Sequence, residues 1–232
     1  ATRRCQTCTR IEALAREAME RSARWAKRCR VDHPEGRNGQ ALFGIVQGST
    51  YLNLRKESIE RTAGIGFDGL AVGGLSVGEP KPLMIDTLDG MMPHMPKHLP
   101  RYLMGVGSPE DLLFGVERGI DMFDCVMPTR IARHGAVFTP TGRIDLTGLA
   151  WRKSDEPIDA ECACQACKTF SRGYLRHLFK AKEILALRMA SLHNITFMIT
   201  LMGKIRAALA NGTFQQLKSE FLAKYMAREE KR

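Results

Sequence analysis

Apolar and polar positions along the chain alternate between strand-length and helix-length patterns. Ile11, Leu14, Ala15, Ala18, Met19 and Ala26 recur at helical spacing while Arg16, Glu17, Arg21 and Arg24 face elsewhere, so residues 11–30 are predicted helical. A loop rich in Pro and Gly follows over 31–39. Ala41 to Gln47 reads as a buried strand ending on a polar residue, 49–63 as a helix, and Leu70 to Gly74 as a second short strand ending on two glycines. Residues 82–92 are predicted helical and 93–100 a Pro-rich loop, and Arg101 to Gly107 is a third strand that runs into glycines. Ser108, Pro109, Glu110 and Asp111 supply the N-cap, first-turn proline and early acids of a helix that runs to about Gly119. Ile120, Met122 and Phe123 give a fourth strand its apolar character. It should end near Asp124 or Cys125, since Pro128 cannot continue a central strand and a basic loop follows.

Four rounds of short apolar strand and helix, with polar or Gly-rich strand ends, predict a parallel sheet of β/α units. A (β/α) barrel and a doubly wound sheet share this pattern. A spacing of roughly 30 residues per unit suits the barrel. No Gly-x-Gly-x-x-Gly opens a helix after a strand, which argues against a dinucleotide site. Beyond Arg130 the pattern changes. Residues 136–146 read as a hairpin turning at Pro140, Thr141 and Gly142, and a long helical region runs on to Asn211 and Gly212. Thr213 and Gln216 have the spacing of a capping box for a last helix.

With 232 residues, 44% of them hydrophobic, the chain has enough for a sizeable core in one domain plus a module. The division expected is 1–150 for a partial barrel and 151–232 for a metal-binding helical subdomain. Residues 168–232 hold 13 Lys and Arg against 4 Glu, and residues 1–37 hold 10 basic and 5 acidic residues, within a total of +10. The middle is therefore net acidic between two basic ends, which fits a polyanionic partner lying across the ends. No uninterrupted apolar run approaches the ~18 residues of a membrane span, and the polar, basic start has no secretory character. Seven cysteines, an odd number, then indicate a reducing, cytoplasmic compartment and no membrane partner.

Three sets of residues carry candidate chemistry. Cys162, Cys164 and Cys167 lie within six residues, and their thiolates converge only around a cation. A tetrahedral Zn²⁺ with one further ligand would serve, His193 being favoured and His177 the competitor. Three Cys and one His close the coordination shell, so the site is expected to be structural. Cys5 and Cys8 form a second Cys-x-x-Cys that nothing obvious completes. The second set is the strand ends, Gln47, Gly73, Gly74, Met104 and Asp124, which would meet on one face of a barrel. Gln offers a donor and an acceptor in one plane, the glycines admit a flat ligand to the backbone, Met104 can cover a ring face, and Asp124 is the carboxylate. Together they describe a pocket for a planar polar heterocycle beside an acid. The third set is the run from Pro128 to Gly135, whose Arg130, Arg133 and His134 suit phosphate or a splayed base.

The runs Ala41 to Gly48, Gly66 to Glu79, Tyr102 to Gly107 and Gly119 to Arg130, with the Cys162, Cys164, Cys167 and His193 set, closely resemble the C-terminal part of the tRNA-guanine transglycosylases (queuine tRNA-ribosyltransferases). The resemblance covers nearly everything from about residue 12 onward. It implies a (β/α)₈ TIM barrel, here its C-terminal part, with a zinc-binding subdomain and one structural Zn²⁺ per chain. It implies exchange of guanine at the wobble position of tRNAs with GUN anticodons, with tRNA and a 7-deazaguanine base as partners and a homodimer in the complete enzyme.

By the same resemblance Asp124 is the nucleophile, and Gln47, Gly73, Gly74, Leu75 and Met104 bind the base. Two segments contact RNA: Gly105, Val106, Gly107, Ser108, Pro109, Glu110 and Asp111, then Thr129, Arg130, Ile131, Ala132 and Arg133. Val77 stands where members that accept the bulkier queuine have Gly, which implies the bacterial precursor 7-aminomethyl-7-deazaguanine as the base. Ala1 to Cys8 does not reproduce the family's Asp-Glu-Cys run, and the family's second Asp, the proton acceptor, has no match. A barrel needs roughly 250 residues. The chain is therefore expected to be a C-terminal portion with four or five parallel strands, associating through its open edge and without guanine exchange by itself. The alternative is a non-catalytic, zinc-bearing tRNA-binding fragment or subunit of the same family. An unrelated Schiff-base barrel is disfavoured because no lysine sits at a strand end.

Overall fold

The computed structural model describes residues 6–33 and 39–227. The possible second cysteine pair falls outside this description: Cys5 is not among these residues, and the side chain of Cys8 is not described. The chain divides into two compact units, Ala1–Val106 with Phe114–Cys125, and Gly107–Leu113 with Val126–Arg232.

In the first unit the helix α1 (Gln6–Asp32) precedes β1 (Phe43–Val46), α2 (Leu52–Ala63), β2 (Gly69–Val72), α3 (Lys81–Met91) and β3 (Arg101–Leu103). The helix α4 (Pro109–Glu117) and the strand β4 (Met122–Phe123) follow. The four strands form one parallel sheet in the order β1-β2-β3-β4. Strands that stay sequential across the sheet wind in one direction, as in a barrel; a doubly wound sheet reverses at a switch point.

Val46, Val72, Leu103 and Phe123 are register partners in one row. Val46, Val72 and Leu103 are at most 1% exposed and pack with Ile59, Leu88 and Met91 from the helices. Side chains alternate along a strand, so the other face carries Ile45, Ala71, Tyr102 and Met122. Ile45 and Met122 there are 39% and 45% exposed. One face of the sheet is thus sealed by helices and the other is partly open. Among the described side chains of α1, Met19 and Ala23 are buried, whereas Ile11 and Leu14, expected on its apolar face, are exposed.

Two expectations are corrected by backbone geometry. Residues 49–51 do not belong to α2. Gly48 and Ser49 have φ of 130° and 53°, and the Tyr51 N–H donates to the Gly48 carbonyl at 3.1 Å, which makes a turn before the helix. The residues after Asp124 are not a loop either. Met127–Ala132 is a helix, α5, with Pro128 in its first turn, where a missing N–H costs nothing.

In the second unit β5 (Ala136–Thr139) and β6 (Gly142–Asp145) make the expected antiparallel hairpin. Helices α6 (Gln165–Thr169), α7 (Arg172–Lys180), α8 (Ile184–Ala210) and α9 (Phe214–Met226) complete it. Thr213 makes no side-chain cap on α9, so the expected capping box is not formed. Helix α8 has a mean hydropathy of 1.4 over an 18-residue window and is long and apolar enough to cross a membrane, which the sequence reading did not anticipate. Its run is broken by Ser191, His193, Asn194 and Thr196. His193 and Asn194 are fully buried, and the helix packs on α5, α6, α7 and β5, with 33% of the apolar window buried.

Candidate functional site

The register fixes the geometry of the first site. Because Val46, Val72, Leu103 and Phe123 share a row, the next residues, Gln47, Gly73, Met104 and Asp124, form a row at the C-terminal ends of the strands. The Gly73 N–H to Val46 carbonyl bond (3.0 Å) and the Met104 N–H to Val72 carbonyl bond (3.2 Å) extend the ladder into this row. In a parallel sheet residues of one row project from the same face, here the partly open one. The sequence-predicted strand-end set is therefore brought together.

Gln47 lies directly against the glycine pair. A Cβ on Gly74 would sit 2.6 Å from the Gln47 Oε1, and one on Gly73 would sit 2.7 Å from Ile45 and 3.0 Å from the Gln47 Nε2. Gly74 also has φ of 67°, so it is glycine for both reasons. Leu75 is 3% exposed and belongs to the core, so any ligand contact it makes must come from its backbone. Beyond it, the Glu79 carboxylate accepts from the backbone N–H groups of Ser76 and of Val77, closing a short loop on which the Val77 side chain is 79% exposed.

Sequence reasoning missed the residue that holds these strand ends. Arg55, on α2, is fully buried. Its guanidinium donates to the carbonyls of Ser49 (2.6 Å), Val46 (3.1 Å), Gly73 (2.7 Å) and Gly74 (3.2 Å). Burial without a carboxylate in contact pulls its pKa down to about 10, against a smaller opposing effect of Glu79. One planar group thus joins the Val46 carbonyl, which also accepts the Gly73 N–H, to the Ser49, Gly73 and Gly74 carbonyls in the turns after β1 and β2. The Gln47 N–H itself donates to the Ser58 hydroxyl at 2.9 Å.

Asp124 is held from the neighbouring strand and its turn. Its Oδ1 accepts from the Tyr102 hydroxyl at 2.6 Å and from the Gly105 N–H at 2.8 Å. Gly105 has φ of 75°, the conformation that turns its N–H toward the carboxylate. The Tyr102 hydrogen bond, then that of Gly105, holds the Asp124 carboxyl below its ordinary pKa, and burial opposes them weakly. The same bond pushes the Tyr102 phenol up to about 12. The result is an exposed carboxylate that stays ionised, with the Tyr102 and Gly105 donors both on Oδ1. Tyr102 was not singled out in the sequence because it lies inside an apolar strand. The signal was period two: it stands two residues before Met104 on the same face.

Of the two basic or polar segments expected to contact RNA, the first runs from exposed Gly105 into α4, with Val106, Gly107 and Pro109 buried and Ser108, Glu110 and Asp111 half-buried. The Ser108 hydroxyl accepts from the Asp111 N–H at 3.3 Å, as the N-cap pattern predicts. In the second, on α5, Ala132 is buried, Thr129 and Ile131 are half-buried, and Arg130 and Arg133 are exposed.

The second site lies in the other unit. The ligand atoms of Cys162, Cys164, Cys167 and His193 all lie within 4.8 Å of one another. The His193 Nδ1 is 3.2 Å from the Cys167 sulfur and 3.7 Å from that of Cys164. The His193 Nε2 is 2.8 Å from the Phe138 carbonyl, which only accepts, so Nε2 carries the proton and Nδ1 turns its lone pair toward the sulfurs. His177 is exposed on α7 beside Tyr174 and is not part of the group. Burial raises the thiol pKa values of Cys162 and Cys167 and lowers that of His193. A buried set of soft donors with an oriented imidazole fits a tetrahedral cation, which would supply the charge that makes thiolates of the three cysteines.

Replacing Tyr102 by Phe removes the stronger of the two donors to Asp124 and is expected to raise the Asp124 pKa toward the ordinary carboxylate value. A depressed carboxylate keeps its interactions above that value and loses them as pH falls through the folded pKa. Any process needing ionised Asp124 should therefore fail at higher pH in the variant. NMR titration of the Asp124 carboxyl carbon checks this, and an unchanged midpoint would remove the Tyr102 hydrogen bond as a cause.

Residues 3–227 match the family model described as queuine tRNA-ribosyltransferase. Among curated relatives, the queuine tRNA-ribosyltransferase of Halothermothrix orenii is 52% identical over 209 residues, which is 90% of this chain and 56% of that protein. The one of Symbiobacterium thermophilum is 53% identical over 218 residues, 94% of this chain and 54% of the relative. That of Caldanaerobacter subterraneus is 53% identical over 215 residues, 93% and 57%. The chain thus spans about half the length of the curated relatives it matches. With its parallel strands in barrel order and its clustered Cys and His side chains, the chain belongs to the queuine tRNA-ribosyltransferase family, a family of (β/α)₈-barrel enzymes.

Proposed function

We propose that this chain carries the nucleophilic part of an enzyme that exchanges guanine at the wobble position of GUN anticodons for 7-aminomethyl-7-deazaguanine. The observation that carries this reading is the ionised Asp124, held through Oδ1 by Tyr102 and Gly105 in one row with Gln47, Gly73 and Met104. Asp124 Oδ2 attacks the ribose anomeric carbon. The bond to guanine breaks, its electron pair leaves with the base, and a glycosyl ester forms. The nitrogen of the incoming 7-deazaguanine then attacks the same carbon, loses its proton and displaces Asp124, so two inversions restore the stereochemistry.

Gln47 would hydrogen-bond the base edge, the Gly73–Gly74 backbone and Leu75 would lie along it, and Met104 would cover a ring face. Gly105 to Asp111 and Thr129 to Arg133 would position the anticodon loop of the tRNA. The proton acceptor would come from outside these residues, in a complete, dimeric, cytoplasmic protein. In that protein residues 1–150 would be barrel and 151–232 the zinc-binding subdomain. Cys162, Cys164, Cys167 and His193 would hold one structural Zn²⁺, whose binding contributes folding free energy by tying the cysteine loop to α8.

A guanine-exchange assay on the chain extended to the length of its relatives tests the reaction. Asp124→Asn is expected to abolish exchange while tRNA affinity stays within a few-fold. In the parent, 7-aminomethyl-7-deazaguanine should displace labelled guanine and queuine should not, because Val77 occupies the space of the larger substituent. Exchange by the Asn variant would remove Asp124 as the nucleophile, and efficient queuine incorporation would remove the Val77 argument.

Metal analysis tests the second site. His193→Ala is expected to retain less zinc and to melt at lower temperature than the parent. Equal zinc content and stability would mean that His193 is not a ligand.

A further inference from the structure

We propose that the cavity between α5 and the β5–β6 hairpin is a phosphate-binding site for the RNA backbone, with Arg143 as its new anion-contacting residue. The cavity measures about 370 Å³, and Arg130, His134, Arg143 and Asp145 line it together with Ile131 and Ile144. Along β6 the side chains alternate, Gly142 and Ile144 inward, Arg143 and Asp145 outward, so the hairpin presents Arg143 on its solvent face. Among the described residues, neither the Arg130 nor the Arg143 guanidinium has a hydrogen-bonding or ion-pair partner.

The one carboxylate at the cavity, Asp145, pairs with neither guanidinium, so the two Arg and one Asp leave the lining with a net positive charge. Asp145 Oδ1 is engaged by the Thr147 N–H and hydroxyl, both at 2.8 Å, which close a turn after β6. The His134 Nδ1 lies 2.9 Å from the Arg130 carbonyl, which fixes the ring as a wall at the end of α5. Two unpaired guanidinium groups around one concave space repel each other until an anion sits between them, and a guanidinium fork matches phosphate oxygens. The lining holds no Phe, Tyr or Trp, and its one ring, His134, stands beside two guanidinium groups, so phosphate is a better fit than a base held by stacking.

The assignment of that phosphate to RNA rests on the reading of α5 as an RNA-contacting helix, since Arg130 belongs to both. A phosphate contact positions the RNA without reading its sequence. Arg143 would therefore extend the RNA surface from α5 onto the hairpin, beyond the segments marked by the family resemblance.

The test is the affinity of the chain for tRNA, and for an anticodon stem-loop of unrelated sequence, by fluorescence anisotropy over a salt series. Arg143→Ala is expected to weaken both RNAs several-fold and to reduce the salt slope by about one. Arg143→Lys should keep the slope and recover part of the affinity. Thermal melting of both variants should match the parent, because the side chain is exposed. Unchanged affinity and slope in Arg143→Ala, with a loss in Arg133→Ala, would overturn the cavity assignment and leave the RNA reading of α5 intact. No loss in either variant would overturn both. Binding of inorganic phosphate at Arg143, seen by ³¹P NMR, with no effect on RNA would make this a small-anion site and overturn the RNA assignment.

Discussion

The in-register pairing of β1 to β4 sets everything that follows in the first unit. Parallel strands leave their last carbonyls pointing out of the ladder, and an exposed β/α turn would hand them to water. Here Arg55 reaches up from α2 and takes the carbonyls of Val46, Ser49, Gly73 and Gly74. Burying a guanidinium with no carboxylate in contact is costly, and the lowered pKa of Arg55 reflects that cost. Four directed acceptors offset it and convert two flexible loop starts into one rigid edge. Asp124 enters the same edge from β4, and its donors come from β3 and the turn after it, so its carboxylate is held by the neighbouring strand and its loop.

The second unit is organised by two consecutive residues of α8. His193 and Asn194 bind the carbonyl and the N–H of one residue of β5 along the same strand edge. The His193 Nε2–H donates to the Phe138 carbonyl, and the Phe138 N–H donates to the Asn194 Oδ1. The Asn194 Nδ2 also donates to the carbonyls of Pro128 and Ala136. Polar groups placed in the middle of an apolar helix are costly unless fully partnered. Here every bond has a purpose: it seats the hairpin and α5 on α8 and orients the imidazole toward the cysteines.

Much of this was legible in the sequence because it obeys local rules. The strands could be read from short apolar runs, the Ser108 cap from its hydroxyl and following proline, and the thiol cluster from cysteine spacing. His193 could be favoured over His177, and burial separates them, the first at the core of α8 and the second exposed on α7. Features that depend on distant partners were not legible. Arg55 reads as a solvated helix residue until β2 places two carbonyls above it. Tyr102 reads as strand filler until β4 brings Asp124 alongside. Pro128 was read as a strand stop and loop former, whereas it starts a helix. Ser49 was assigned to a helix although its left-handed backbone closes a turn. Thr213 had the right spacing for a cap, but its backbone does not bring the hydroxyl onto an N–H.

The central claim is that the carboxylate of Asp124, kept ionised by Tyr102 and Gly105, becomes covalently joined to the RNA. Peptide mapping by mass spectrometry, after the adduct is trapped and the RNA digested, tests it most directly. The account predicts a ribosyl-linked mass on the peptide containing Asp124, absent when Asp124 is replaced by its uncharged isostere Asn. A linked mass on any other carboxylate, or tRNA turnover without a protein-linked species, would contradict it.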